Sequence, residues 1–399
     1  MANSSILLTS LDFDTLKNSL KTYLSSQSQF ADYNFEGSNI NVLLDILSYN
    51  SYLNAFYLNM AISESFLDSA QMRSSVVSRA KELNYLPRSY KSSKATLNLT
   101  VNQAGQTSLT IPSGTKFSGK NANGSYTFTT NNSVVFYPSG GYFTGNLDVY
   151  EGVFVNDVFV VDNTIQNQRF VLTNQILDTD SLSVSVVENS GQTTTAFQRA
   201  DSLYGLNSNS AIYFIQAVND GSYELVFGDG ILGRVPLNSA LIVANYRITQ
   251  GTDADGSGNF TVVDNIGTLS SLTTLYSSSG GANAETVDSI RYNAPRHFQT
   301  QERAVTAADY KSLVLSNFTN IKSCHVFGGE TVVGSIDYGK VYVSPVTYAG
   351  SATSTSEKAD IEYFLGQRCT VGITPVVVDP DFLYLQVNTT VKFDPNATT

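Results

Sequence analysis

The chain contains no tryptophan, two histidines and two cysteines among its 399 residues. Cys324 and Cys369 are too few for a disulfide framework, and two histidines leave no Cys/His zinc cluster, so a reducing compartment is the simplest reading. Charge is scarce as well, at 14% of residues against about 25% in a typical soluble domain. The 23 Lys plus Arg and 34 Asp plus Glu give a net charge of −11. A chain of that sign lacks a basic stripe for phosphates, which argues against nucleic acid as the main partner. No stretch stays apolar for the ~20 residues of a membrane span, and the N-terminus has neither the basic region nor the apolar run of a signal peptide. The expectation is a soluble protein made in the cytoplasm, with no membrane contact of its own.

What is present is ordinary apolar content, 42% of residues, enough for several cores; at about 150 residues per domain the length suggests two or three. Between Gly37 and Pro87 there is neither glycine nor proline, as a long helical segment requires. Within it Val42, Ile46, Tyr49, Leu53, Phe56 and Met60 recur at alternating steps of four and three, reaching Leu67 after one polar position, Ser63. This is a seam at heptad spacing. Ser38 is placed to cap its start, Asp12 or Asp14 to cap a shorter helix carrying Leu16, Leu20, Tyr23 and Leu24, and a third periodic set ends before Pro87. The seam is unusually aromatic, and three helices of this size cannot bury both faces alone. It is read either as a contact with a partner helix or as internal core.

From Lys94 the period changes from helical to alternating, with turn residues every ten or so positions, so a run of short antiparallel strands is expected, in a sandwich or barrel. Residues 251–281, rich in Gly, Ser, Thr and Asp, read as a linker or exposed loops. The last third is mixed. A short helix from Glu285 is stopped by Pro295, Thr306-Ala-Ala-Asp309 opens a helix as a capping box with Tyr310 inward, and strands and a helix follow to a final alternating segment at 382–393. That strand lies close to residue 399, which suggests a fragment whose sheet partners lie further on. The fold class is thus multidomain α+β. It comprises a helical bundle segment over 1–90, a β-rich antiparallel body over 91–280 with an inserted β subdomain around 137–221, and a smaller α+β region over 281–399, incomplete at its C-terminus.

Catalytic and cofactor chemistry is hard to find. Gly228-Asp-Gly-Ile-Leu-Gly233 matches the glycine pattern of dinucleotide-binding turns, but Arg234-Val-Pro236 blocks the helix that must follow, so Gly228 and Gly230 read as a tight β turn. Asp253 and Asp255 before a glycine lack the closing bidentate acid of a calcium loop. Cys324 and His325 are neighbours on a strand and point to opposite faces. His297 lies among Arg296, Gln299, Gln301, Glu302 and Arg303 with no nucleophile or paired acid. No catalytic residue, cofactor, metal ligand or small-molecule substrate is expected.

Several segments together resemble a known family. Ile111-Pro-Ser-Gly-Thr-Lys-Phe117, the turn Phe227-Gly-Asp-Gly with Gly233 and Pro236, and Ala294-Pro through Gln301-Glu-Arg-Ala-Val-Thr-Ala-Ala-Asp-Tyr310 are similar to baseplate J-like proteins of contractile phage tails. Asn50 through Met60, Phe66-Leu-Asp68 and Leu86-Pro-Arg-Ser89 resemble the wedge subunits of T4-like phages. The most specific part is the motif containing Arg303, Thr306, Asp309 and Tyr310. The resemblance implies a non-enzymatic structural subunit of the tail baseplate in the virion, assembled in the host cytoplasm, which transmits the baseplate rearrangement towards the sheath. It implies pairing with a second copy and with other wedge proteins through the N-terminal helices, Val42 to Met60 forming the bundle contact. T4-like wedge subunits run considerably further, so the part that closes their ring is expected to be incomplete here. The alternative from the residues alone, a carbohydrate- or receptor-binding β module of a tail fibre, rests on the many short strands and tyrosines and is opposed by the absence of tryptophan.

Overall fold

The computed structural model describes residues 12–27, 34–102, 105–165, 168–200, 205–318, 320–331, 337–347, 353, 355–383, 386 and 388–389. The chain divides into two compact units, Met1–Glu302 and Arg303–Thr399. The first begins with α1 (Phe13–Ser25), α2 (Asn39–Ser63) and α3 (Arg73–Glu82). Asp12 Oδ2 accepts the Thr15 N–H at 3.1 Å and Ser38 Oγ the Asn41 N–H at 3.1 Å, each satisfying a donor the helix start leaves free. α2 stops at Ser63 because Glu64 turns the chain back, its Oε1 accepting the Gln71 N–H at 2.9 Å. Leu67 therefore lies beyond the helix, half-buried against the core, and is not a member of the α2 seam.

The β body contains two curled sheets. The first uses β1 (Lys94–Asn102), β3 (Lys116–Lys120), β4 (Ser125–Thr130), β6 (Pro138–Ser139), β7 (Tyr142–Glu151), β15 (Asn259–Val262) and β16 (Leu269–Ser279); β2 (Leu109–Ile111) and β5 (Val134–Phe136) form a separate pair. The order is β15-β3-β4-β7-β1-β16, with β6 on β7, and the core holds Leu97, Leu99, Phe117, Phe128 and Phe143. Residues 251–281 are thus no linker. β16 lies along β1 from Ser279 opposite Lys94 to Leu269 opposite Val101. Seven of its eleven residues are Ser or Thr and most of its positions are exposed, so the apolar alternation that marks a strand is missing.

Between these strands run β8 (Val153–Val160), β9 (Phe170–Val171), β10 (Leu177–Glu188), β11 (Thr193–Arg199), β12 (Ile212–Ala217), β13 (Tyr223–Phe227) and β14 (Leu241–Ile248), ordered β8-β14-β10-β11-β12-β13-β9. Pairing is antiparallel as expected, except that β11 and β12 meet parallel. Side chains stitch the two end strands together. Gln168 Nε2 donates to the Val160 carbonyl at 2.7 Å, and Asp157 Oδ2 accepts the Thr173 N–H at 2.8 Å and the Tyr246 hydroxyl at 2.7 Å. These bonds occupy edge groups that would otherwise be open to a foreign strand.

The chain crosses between the sheets at Gly152, whose φ of +107° brings its Cα so close to β14 that a Cβ would lie 2.0 Å from the Ile248 carbonyl oxygen. Beside it Arg247 is 1% exposed, its guanidinium over the rings of Tyr150 (5.2 Å) and Phe154 (4.4 Å), with Nη2 donating to Thr129 Oγ1 at 3.1 Å. Burial lowers the Arg247 pKa to about 10, which still leaves it charged at neutral pH. Glu151, also buried, accepts the Thr249 hydroxyl at 2.5 Å and the Gln250 N–H at 3.0 Å.

The helical segment is mounted on the second sheet through α4 (Val287–Thr300), in one core holding Val76, Val77, Ala80, Tyr85, Val184, Phe197, Leu225, Ile242, Ile290 and Ala294. The expectation that Pro295 stops this helix fails. Ile290 and Ala294, both fully buried, pin the turn before it, and their packing outweighs the lost N–H. Just before α4, buried Glu285 accepts bonds from the Tyr85 hydroxyl (2.9 Å), the Arg88 N–H (3.1 Å) and Asn293 Nδ2 (2.9 Å), and its carbonyl accepts Arg73 Nη1 (2.5 Å).

The second unit has α5 (Ala307–Asn317), β17 (Ile321–Gly328), β18 (Lys340–Thr347), α6 (Thr355–Gly366) and β19 (Thr374–Val377). Its sheet runs β17-β18-β19, antiparallel then parallel, around Leu313, Val314, Ile321, Val343, Ile361 and Leu365. The expected strand at 382–393 falls mostly outside the described residues.

Two consequences are measurable. Glu285→Ala leaves Arg88 and Tyr85 buried without their acceptor and is expected to destabilise the first unit by about 3–5 kcal/mol in chemical denaturation, and Glu285→Gln by less. Burial raises the Glu151 carboxyl above its usual value, against the pull of Thr249, the Gln250 N–H and Arg247. Its folded form therefore holds the proton to higher pH than the unfolded chain. That contribution is full below about pH 4.3 and is lost as pH rises through the raised value. Glu151→Gln should flatten the stability profile across that window, and an unchanged slope would show that other groups set it.

Candidate assembly surface

An amphipathic helix of a folded domain turns its apolar stripe inward. α2 does the reverse. Its buried positions are Asn41, Leu44, Ser48 and Asn59. The seam faces solvent, with Val42 52%, Ile46 59%, Tyr49 57%, Phe56 44% and Met60 40% exposed and Leu53 half-buried. The seam is therefore no core of this chain. α1 covers the polar side, where Lys17 pairs with Asp45, and none of its own residues is fully buried. Asn41 Oδ1 and Ser48 Oγ are buried without a hydrogen-bond partner among the described residues.

A second exposed set escaped the sequence reading. Leu43, Leu47, Tyr57 and Leu58, each close to half exposed or more, widen the apolar surface well beyond one seam. The signal was available: at about 100° per residue these positions fall beside the seam, and a helix apolar nearly all round must be covered nearly all round. Beyond its far end the turn that follows α2 is held by α4, where Arg291 Nη2 donates to the Ala70 carbonyl at 2.6 Å and Nε to that of Leu67 at 3.2 Å.

The glycine turn is structural. Asp229 Oδ1 accepts the N–H groups of Ile231 (2.9 Å) and Leu232 (2.8 Å), Gly230 takes φ +86°, and a Cβ on Gly228 would lie 2.3 Å from the Gly233 carbonyl carbon. β14 follows rather than a helix, so no phosphate-facing N-terminus exists there. In the second unit Thr306 and Asp309 form the capping box, with Thr306 Oγ1 accepting the Asp309 N–H at 3.3 Å and Asp309 Oδ2 the Thr306 N–H at 2.8 Å. Tyr310 is buried in the core, its hydroxyl pushed up to about 12 chiefly by burial. Arg303 is exposed and takes no part in the bonds that open the helix.

The remaining polar candidates also have structural surroundings. Cys324 is buried, its thiol pushed up to about 12 by burial, while His325 is exposed on the other face of β17. His297 Nε2 lies 3.0 Å from Glu302 Oε1 and its ring meets the edge of Tyr85. Asp255 Oδ1 accepts the Ser93 hydroxyl at 2.6 Å and the Gly281 N–H at 3.1 Å. Among the described residues no group of three or more His, Cys, Asp or Glu side chains is gathered for a metal.

Residues 12–85 match the helical domain of gp6-like baseplate wedge proteins, and residues 306–378 match C-terminal domain I of the baseplate structural protein gp6. The chain is 27% identical to baseplate wedge protein gp6 of Enterobacteria phage T4 across 96% of its own length, and spans 61% of that protein. Among solved structures it is similar to a chain of the anti-feeding prophage baseplate, with 14% identity, coverage of 94% and 80% of the two chains and a TM-score of 0.33. It is also similar to a chain of the TssK-TssF-TssG baseplate subcomplex of a type VI secretion system, with 9% identity, coverage of 84% and 96% and a TM-score of 0.33.

The capping box separates the two conspicuous residues of the motif. Asp309→Ala should destabilise the second unit by about 1 kcal/mol, whereas Arg303→Ala should stay within about 0.5 kcal/mol. Thermal melts of the full chain that rank the two the other way would show that Arg303, and not the cap, holds this helix.

Proposed function

We propose that this chain, a relative of the T4-like baseplate wedge proteins, is a structural subunit of a contractile-tail baseplate wedge in the virion. It is assembled through α2 with a second copy and with other wedge proteins. The observation that carries the reading is the reversed polarity of α2: a long helix with its apolar seam exposed. Covering Val42, Ile46, Tyr49, Leu53, Phe56 and Met60 by a partner helix would contribute on the order of 5 kcal/mol of apolar burial, enough to matter and far more than scattered surface side chains provide. The wedge-type family matches at both ends of the chain and the relation to the T4 protein support the same role. The work is mechanical. The two curled sheets, joined through Gly152 and Arg247, supply stiffness, the helices supply attachment, and a rearrangement elsewhere in the baseplate is passed towards the sheath by movement of packed elements.

Leu53→Asp places a charge in the seam, away from the β body. Co-expressed with the other baseplate proteins of the same tail, the variant is expected to drop out of the assembled wedge while its circular dichroism and melting of the β body stay unchanged. Normal incorporation would sink the assignment of the seam.

A further inference from the structure

The outer face of the second sheet, turned away from its core, carries an apolar tile. Val160 lies opposite Leu241 and Leu241 opposite Val187, while Val158 lies opposite Val243, so five side chains of β8, β14 and β10 are set side by side. Val158 is 57%, Val160 56% and Leu241 40% exposed. The loop from β13 to β14 extends the tile with exposed Ile231, Val235 and Leu237, and a Cβ on Gly230 would lie 3.5 Å from Val235 Cγ2. This loop is fixed before anything binds. Glu188 pairs with Arg234 and accepts the Leu237 N–H at 3.2 Å, the Asn163 N–H reaches Asn238 Oδ1 at 3.0 Å, and the Ser239 N–H reaches the Val161 carbonyl at 2.8 Å. Exposed apolar side chains scattered singly are ordinary, whereas a contiguous and preorganised set marks a contact. The surroundings are acidic. From Val153 to Tyr246 the chain has nine Asp and Glu, three Arg and no Lys. Asp229 stands beside the loop end of the tile, and Asp162 follows Val160 and Val161 at the other, near exposed Ile165. The N–H groups of Leu232 and Ile231 hold the Asp229 carboxyl below the usual carboxylate range, and the Thr164 hydroxyl and N–H do the same for Asp162.

We propose that the tile and its loop are the docking surface for an apolar segment of another baseplate protein, flanked by lysine or arginine. The inference rests on the assembly role proposed above and adds a second contact, on the β body, with the chemistry of its occupant. The occupant's apolar side chains cover Val158, Val160 and Leu241, and its cations lie at Asp162 and Asp229. A second copy of this chain is a poor occupant, because it would set one acidic, lysine-free surface against another. The area argues the same way. A patch of a few hundred Å² falls short of the ~800 Å² per partner that a free-standing pair buries. A segment whose parent protein is already held in the same assembly needs no more, since tethering raises its effective concentration at the tile. Lysine is also the usual guard on the outer strand of a sheet. Its absence from β8, a run of Val and Phe broken only by Asn156 and Asp157, leaves that strand open to a partner that brings the cations itself.

The test uses the full chain with the photo-cross-linking residue p-benzoylphenylalanine in place of Val160, co-expressed with the other baseplate proteins of the same tail and irradiated. The expected product joins position 160 to a different protein, at a segment whose apolar residues are flanked by Lys or Arg. A cross-link to a second copy of this chain, or to a segment without basic flanks, would overturn the proposal. So would a chain that enters the wedge and cross-links to nothing. Asp162→Asn with Asp229→Asn removes both charges and keeps the Oδ1 acceptors of the two turns, and the cross-link yield should fall about fivefold. Val158→Thr with Leu241→Thr keeps residues suited to exposed strands, and should lower the yield about tenfold with the thermal melt unchanged. An undiminished yield in both double variants would show that neither charge nor apolar surface brings the partner. These failures leave the wedge role standing, since that role is read from incorporation of the Leu53→Asp chain.

Discussion

Glu285 is the point on which the presentation of α2 depends. Its carboxylate gathers Tyr85, Arg88 and Asn293, and its carbonyl gathers Arg73, so the chain after α3 is fixed to the start of α4. A buried carboxylate without partners would cost several kcal/mol; with this many donors the same group becomes a specific fastening. Burial and the neighbouring carboxylate together raise the Tyr85 hydroxyl well above its usual value, so it remains a donor throughout the ordinary pH range. From the same helix Arg291 takes the carbonyls of Leu67 and Ala70, the turn into which α2 runs. The turn after α2 is thus fastened by these polar bonds as well as by Leu67 and Ala70 in the core, while the apolar seam of α2 stays exposed.

Behind that mounting the structure is continuous. α3 and α4 share one core with the second sheet, and the second sheet meets the first at a joint with little freedom to bend. Gly152 admits no side chain, and Arg247 is clamped between two rings while its charge is balanced by Glu151 and Asp178. Ser92 donates to Asp178 from both its N–H (3.0 Å) and its hydroxyl (2.7 Å), adding a crossing between the first strands and β10. Such a joint suits the transfer of displacement, because packed interfaces with satisfied polar groups shift as units and do not stretch.

Much of this was legible from the residues. The gap in glycine and proline between Gly37 and Pro87, the caps at Asp12 and Ser38 and the Thr306–Asp309 box identified the helices, and alternation found most strands of the second sheet. The failures share a cause. β16 is a strand made largely of Ser and Thr, with its pairing to β1 set by tertiary context, so no local period betrays it. Pro295 breaks the local rule and is overridden by the burial of Ile290 and Ala294. Leu67 fits the heptad by spacing, but Glu64 ends the helix through bonds to residues seven and eight further on, which no period encodes. Arg303 was selected by a motif in which Asp309 and Thr306 make the bonds. Leu43, Leu47 and Leu58 lie beside the heptad positions of α2, so alternating steps of four and three do not find them.

The polarity of α2 bears on how folding and assembly divide. Its buried side holds Asn41 and Ser48, each with an oxygen that has no hydrogen-bond partner among the described residues, and α1 adds Leu16, Leu20 and Leu24 that are only half-buried. That contact adds little to the stability of the free chain, and an unpaired buried oxygen subtracts from it. The apolar side adds nothing until another chain covers it. The three hydrophobic cores, by contrast, draw nothing from α1 or α2; Leu67 and Ala70, in the turn after Ser63, are the first residues to join them. Folding of the β body and use of the helices are thus energetically separate. On the proposed assembly role, a charge placed on α2 would act on association, whereas loss of Glu285 would act first on folding.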